Sequence, residues 1–516
     1  MPNQRIGLID VGSNTIRLVI FEIDTSQTIT ELQNIKTPAR LVQYLDKDQI
    51  MKKEGVAVLL EALESFTEIA SRYHIETMIS VATAAIRRSK NAQDILRLVK
   101  EKTDLDLKIL NEEEEAFFGN YAVRHTMGLS DGVTIDIGGG STELTLFKDK
   151  QVVNSHSFPF GVVSLKAQFF DGKEHNDKKA IEKAGEWVLE QLSALDWLSG
   201  VKVPLIGIGG SARNIADVFQ RQTNYPIAGI HEYTMKESEL VHTFQLLAES
   251  SMKELSKLDG LSEDRKDIII PAGIVFVQLF HYMDSSEFAL STRGLREGLI
   301  IDYINRTKKT PYDLYGVKRQ TIERMSKRYN IRAIGAHQRI LLADRLLNLL
   351  QEKNIISIDE DNLILVHYAA SLYNLGSYVE DDSKSQHTFY IISNSNLQGF
   401  SHKDRVRLAL MASYKNRSLF NQYIKTVENW FSEEETETLL HLGSIIKFAE
   451  ALNDSHVNMV TNIKLTRIKN SEDEFELTVT YNGDIVSEKY RANKHKNHLE
   501  RVLGGNVHII FKSESK

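Results

Sequence analysis

A chain of 516 residues with 63 Lys and Arg against 70 Asp and Glu, formal charge −7, is too long for one hydrophobic core and exerts no global pull on polyanions. Three or four domains of roughly 70 to 180 residues are expected, and any anionic substrate has to be held by local patches. With no cysteine, disulfides, thiolate metal sites and cysteine nucleophiles are excluded, which fits a reducing, cytoplasmic setting and leaves chemistry to carboxylates, bases, hydroxyls and backbone.

The start, MPNQRIGLIDVG, carries no apolar stretch of signal-peptide length, so export is not expected. Ile9 to Phe21, IDVGSNTIRLVIF, reads as a strand, a tight polar turn and a second strand. Its turn, with Asp10, Gly12, Ser13, Asn14 and Thr15, offers closely spaced N–H groups and small hydroxyls that can wrap an anion. VAVLLEALESFTEIASRYHIE has helical spacing, and TMISVATAAI then reads as a strand entering a turn. That turn holds Arg87 and Arg88, whose guanidinium groups either grip phosphate oxygens or simply face water.

After LDLKIL comes the run Asn111, Glu112, Glu113, Glu114, Glu115, Ala116. In one reading Asn111 caps a helix and the glutamates favour its positive end. In the other, a glutamate with a raised pKa is a general base for water. Ile135 to Phe147, IDIGGGSTELTLF, then repeats the first hairpin, Asp136 aligning with Asp10 and Gly138 with Gly12. Its turn adds Gly139, Gly140 and Ser141, flanked by Asp136 and Glu143, and carboxylates beside a phosphate loop suit magnesium. Either hairpin alone is an ordinary turn; the pair suggests two similar α/β domains facing each other.

A third turn, in PLIGIGGSARNIAD, opens a helix with Gly209, Gly210, Ser211 and Arg213. Gly207, Gly209 and Ala212 superficially match a dinucleotide fingerprint, but the Asp-x-Gly hairpins belong to a different architecture. Ile268 to Phe280 is apolar, contains Pro271 and Gln278, and falls short of the roughly 20 residues of a membrane span, so a buried helix is expected. STRGLREGL reads as a glycine-broken helix start that puts Arg293 and Arg296 near the cleft or in salt bridges. NRTKKTPYDLYG changes character and places a boundary near residue 309. The pattern from Thr321 to Glu450 is nearly all helical, and NIKLTRIKN, EFELTVTYN and NVHIIFKSE alternate as strands. Between them KYRANKHKNHLER gathers Lys489, Arg491, Lys494 and Lys496, either a trough for a polyanionic chain or a solvated helix.

The motifs DVGSNT, ATAAIRRSKN, EEEEA, DIGGGSTEL, GIGGSARN and STRGLREGL, in that order along nearly the whole chain, resemble the exopolyphosphatase and guanosine pentaphosphate phosphohydrolase family of the actin, acetate and sugar kinase superfamily. The resemblance implies two actin-like (ribonuclease H-like) α/β domains flanking a cleft, at 1–124 and 125–308. An all-α HD-like domain at 309–450 and a small C-terminal α+β domain at 451–516 follow. It makes Glu115, the glutamate before the alanine, the catalytic base. The usual preceding Ser-Gly is here Asn111-Glu112, which leaves Glu114 as second choice. Asp136 and Glu143 would serve Mg2+. Ser13, Asn14, Arg87, Gly139 to Ser141, Gly210, Ser211 and Arg213 would bind phosphate.

Implied too are a monovalent cation such as K+, a homodimer, no nucleic acid, and inorganic polyphosphate or guanosine pentaphosphate as substrate. In the helical part the usual Leu-His-Asp-Ile-Gly appears as Leu372, Tyr373, Asn374, Leu375, Gly376, and only His387 remains nearby, so metal chemistry is not expected there. The expected reaction is hydrolysis of terminal phosphate; the rivals are a non-catalytic polyphosphate or nucleotide sensor and a sugar or acetate kinase.

Overall fold

The computed structural model describes residues 3–24, 29–308, 312–313, 316–469, 471 and 473–514. The boundary expected near 309 touches 309–311 and so lies outside the described residues, as do Met1, Pro2 and Asn470. The chain forms two compact units, 1–222 with 234–315, and 223–233 with 316–516.

The first unit is built on two sheets. One joins β1 (Gln4–Val11), β2 (Thr15–Ile23), β3 (Ile29–Pro38), β4 (Thr77–Ala82) and β5 (Leu107–Ile109) in the order β3-β2-β1-β4-β5. The other joins β6 (Gly132–Ile137), β7 (Thr142–Lys148), β8 (Gln151–Phe158), β9 (Leu205–Ile208), β10 (Thr234–Met235) and β11 (Phe288–Leu290) in the order β10-β11-β9-β6-β7-β8. In both, an antiparallel three-stranded meander continues into two parallel strands, so the repeat seen in two hairpins extends over five strands of each sheet, the second adding the antiparallel β10 at its edge.

β1 and β2 are apolar almost throughout because both faces of the sheet are covered. Ile9, Val11, Ile16, Leu18 and Ile20 pack with Leu59, Leu63 and Phe66 of the helix Lys53–Arg72. Ile6, Leu8, Val19 and Phe21 pack instead with Phe118, Leu299, Ile300, Ile301 and Ile304. Phe118 comes from the helix Glu112–Thr126, and the last four from the helix Leu295–Thr307, which follows the second sheet in sequence yet covers the first. The two helices touch at Gly298, where a Cβ would stand 2.0 Å from the Phe118 carbonyl oxygen. The apolar run is a buried helix, Ile269–Met283, with Pro271 in its first turn, where a missing N–H costs nothing. No described helix is long and apolar enough to cross a membrane.

In the second unit, helices from Val317 to Ala451 share one hydrophobic core with a three-stranded sheet, β12 (Val460–Arg467), β13 (Glu474–Tyr481) and β14 (Asn506–Ser513). β13 and β14 run parallel, which requires a crossover, and the helix Val486–Leu503 supplies it. The excursion 223–233 also belongs here: Ile227 enters that core, and Glu232 accepts the Gly399 N–H at 2.9 Å. Two actin-like α/β sheets, a helical domain and a small C-terminal sheet make up the fold class expected from sequence.

Candidate active site

The two aligned hairpins are equivalent in detail. Gly12 N–H donates to Thr15 O at 3.0 Å, and Gly138 N–H to Ser141 O at 2.9 Å. Asp10 pairs across its hairpin with Arg17, and Asp136 across its own with Glu143. The turn carbonyls are tied back in both cases, Ser13 and Asn14 by the N–H groups of Ala39, Arg40 and Val42, Gly138 and Gly139 by those of Val162 and Val163. The latter contact needs Gly161, whose Cβ would stand 2.3 Å from Gly138 O. With its carbonyls held this way, the second turn leaves the N–H groups of Gly139, Gly140 and Ser141 without an acceptor among the described residues. Successive unpaired amides form a cradle for an anion.

The third turn closes on the second. Gly209 has φ +88° and lies so near Asp136 that a Cβ would meet Oδ1 at 3.0 Å. Gly210 lies under the Arg265 guanidinium, whose Cζ a Cβ would meet at 2.9 Å. Arg213 folds back, its Nε donating to Gly209 O at 3.0 Å, and the Ser211 Oγ is buried without a partner. Burial and the neighbouring Arg296 and Arg265 lower the Arg213 pKa.

The acidic helix divides its glutamates between two jobs. Asn111 Oδ1 accepts the Glu114 N–H at 2.7 Å while Glu114 Oε2 accepts the Asn111 N–H at 3.0 Å. Glu114 also pairs with Lys108 at 2.6 Å, which holds its carboxyl below the usual range, so this second-choice base is committed to the cap. Glu115, one residue on, receives Arg87 Nη1 at 2.9 Å. Burial raises its pKa against the pull of Arg87, and its charge is felt at Asp10, Asp136 and Glu143.

These four carboxylates sit amid cations. Asp10, 3.9 Å from Arg296, is raised by burial to about 6 despite that guanidinium. Burial, aided by Glu115, lifts Asp136 to about 6, and burial lifts Glu143 to about 7 even though Ser157 donates to it at 3.1 Å. Paired carboxylates whose charge is this poorly offset fit a cation. No group of three or more His, Asp or Glu among the described residues forms a metal cage. Magnesium suits such a donor set, since it takes one or two carboxylates and completes its shell with water and substrate oxygens.

The structure gives the cations of the chain individual places. Arg87, expected on phosphate, is engaged by Leu110 O at 2.9 Å, Glu115 and Glu112. Its neighbour Arg88 is the guanidinium against the second turn, its Nη2 2.3 Å from where a Gly140 Cβ would stand. Arg265 went unseen because it lies in EDRKD, which resembles any solvated charged loop. The C-terminal cations have separate local partners. Lys489 reaches Tyr481 Oη at 3.3 Å, Arg491 Asp454 at 2.8 Å and Lys496 Glu500 at 2.9 Å, while Lys494 lies over the Tyr490 ring. Helical spacing turns them to different local partners.

Comparison with known proteins gives a consistent picture. The model of the Ppx/GppA phosphatase family matches residues 19–307, and that of Ppx/GppA phosphatase domain III residues 317–491. A guanosine-5'-triphosphate,3'-diphosphate pyrophosphatase of Pseudoalteromonas atlantica is 25% identical over 413 residues, 78% of each chain. The crystal structure of the Aquifex aeolicus Ppx/GppA family member, 24% identical, superposes with a TM-score of 0.54 over 60% of this chain and 100% of that one. An exopolyphosphatase of Cytophaga hutchinsonii, 21% identical, does so with 0.52 over 59% and 99%.

Proposed function

The chain belongs to the Ppx/GppA phosphatase family, hydrolases of phosphoanhydride bonds, and we propose that its substrate is inorganic polyphosphate, cleaved at the terminal phosphate. The supporting observation is the convergence of Glu115, held by Arg87, with Asp10, Asp136, Glu143 and the open amides of Gly139 to Ser141. The amides suit phosphoryl oxygens, and the carboxylates suit water or a cation.

In this reading the amides of the second turn and the Arg88 guanidinium hold the terminal phosphoryl oxygens. Asp136 and Glu143 are the residues that would hold magnesium, which supplies charge neutralisation to the phosphoryl oxygens when bound. Arg87 keeps the Glu115 carboxylate oriented, and Glu115 takes the proton of the attacking water. The water oxygen bonds to the terminal phosphorus, the bridging P–O bond breaks, and its electron pair leaves on the shortened chain, with orthophosphate as the other product. The helical domain is read as HD-like without metal chemistry, because Tyr373 and Asn374 stand where ligands are expected.

A second substrate, guanosine pentaphosphate, is favoured by the Pseudoalteromonas relative and uses the same terminal chemistry. Comparing kcat/KM for phosphate release from long-chain polyphosphate and from guanosine pentaphosphate decides between them. A higher value on polyphosphate is expected; a higher value on the nucleotide reverses the assignment.

A further inference from the structure

The second unit holds a cavity of about 510 Å³ that the proposed reaction does not use. Its walls include Tyr373 and Asn374, the two positions where metal ligands were expected, together with Lys415, Lys447, Arg491 and His495. A neighbouring hollow of about 430 Å³ shares Tyr373, Asn374 and Lys384 with it.

The walls carry Asp381, Asp382, Glu450 and Asp454 beside Lys384, Lys415, Lys447 and Arg491, and several of these charges are paired, Lys384 with Asp381 at 3.9 Å among them. Arg491 is neutralised by Asp454 at 2.8 Å, and Glu450 is taken by Arg339 at 2.6 Å. Lys415 and Lys447 are left with no hydrogen-bond acceptor or ion-pair partner among the described residues, and the Asp382 carboxylate has no donor. Burial, with repulsion from Arg491, Lys384 and Lys415, lowers the Lys447 ammonium to about 8. Burial and the cations Lys447, Arg491 and Lys494 lower His495 to about 4. Lys415 and Asp382 reach solvent, whereas Lys447 is partly buried, and a cation drawn out of water without a partner is costly. Such a cation on the wall of a hollow of ligand size, with Lys415 and Arg491 beside it, fits the phosphoryl group of a bound molecule.

We infer that this cavity binds a phosphorylated organic molecule, its phosphoryl group on Lys415, Lys447 and Arg491 and its hydroxyl or amino donors on Asp382 and Asn374. The carboxylate makes a purely inorganic polyanion a poor occupant, since it repels phosphate and accepts only from a donor. A sugar phosphate and a nucleotide share the required chemistry. Without metal ligands at Tyr373 and Asn374, the pocket binds and does not hydrolyse. None of this depends on which substrate the first unit cleaves.

The test is an acetylation footprint of the full chain near pH 8, in the range to which burial lowers the Lys447 ammonium. Mass spectrometry follows Lys447 against the exposed Lys178, with ribose 5-phosphate, adenosine diphosphate or pyrophosphate present. An organic phosphate is expected to protect Lys447 several-fold and pyrophosphate much less. The footprint reads only this cavity, so occupancy of the catalytic cleft does not confuse it. Protection by ribose 5-phosphate alone or by the nucleotide alone names the source. Calorimetry on Lys447→Gln should then show binding of the protecting compound weakened about tenfold or more, as for the loss of one charged hydrogen bond, with polyphosphate hydrolysis unchanged. Unchanged Lys447 labelling with both organic compounds overturns the proposal, and equal protection by pyrophosphate overturns its organic part.

Discussion

Glu114 and Glu115 are chemically identical neighbours with opposite surroundings. A carboxylate that accepts a backbone N–H and pairs with Lys108 is stabilised in its charged form and is a poor base. One that is buried, with Glu112 adding to the effect, holds a proton more readily despite the Arg87 ion pair. Glu115→Gln should therefore lower kcat on the order of a hundredfold or more while substrate still binds, since proton acceptance and the charge facing Arg87 are lost but the side chain keeps its size. Glu114→Gln should keep most activity and cost about 1 kcal/mol of stability through the weakened cap. Turnover and binding measured on both variants settle the matter; a more damaging Glu114 substitution moves the base. This division was half legible in the sequence, where Asn111 three residues before Glu114 announces a capping box. The ion pair from Arg87 was not, because it joins residues 28 apart through the packing of a turn on a helix.

At the scale of elements, the hairpins were readable because Asp-x-Gly between β-branched strands recurs with the same register. The helix Leu295–Thr307 was not, because its place on the first sheet is a long-range contact that no local pattern encodes. Its consequence falls on the proposed site: it brings Arg296 to Asp10 and lies against the helix that carries Glu115. The closeness depends on Gly298, since a methyl group there would stand 2.0 Å from a backbone oxygen that cannot swing aside. Gly298→Ala should force the helices apart, costing about 1–3 kcal/mol as overpacking does. Arg296 and Glu115 would shift with them, so kcat should fall together with the melting temperature. Wild-type activity and melting in this variant would show that the pair tolerates separation and that the spacing does not set the site.

For the whole molecule, composition gave a negative net charge and no hint of where anions could be held; the proposed cleft sets the open amides of Gly139 to Ser141 and the guanidinium groups of Arg88, Arg213 and Arg265 beside acids raised by burial. Asp10 and Asp136 at about 6 and Glu143 at about 7 stand well above the ordinary range of unfolded carboxylates. An acid raised in this way binds more protons folded than unfolded. Its contribution to stability is complete below about pH 4 and is lost as pH climbs through about 6 to 7. His125, His495 and His498, lowered to about 4, 4 and 3, act in the opposite sense and gain stability towards neutral pH. A single melting profile therefore mixes both signs, and the informative quantity is a difference. In chelator, wild type should lose stability between pH 5 and 8 relative to Asp136→Asn/Glu143→Gln, whose amides do not titrate. Magnesium should restore wild type most strongly at the upper end of that range, where binding no longer has to displace protons, and should leave the double variant unmoved. Parallel profiles for the two proteins, with and without magnesium, would remove Asp136 and Glu143 from the metal site and leave the cleft's acids to another role.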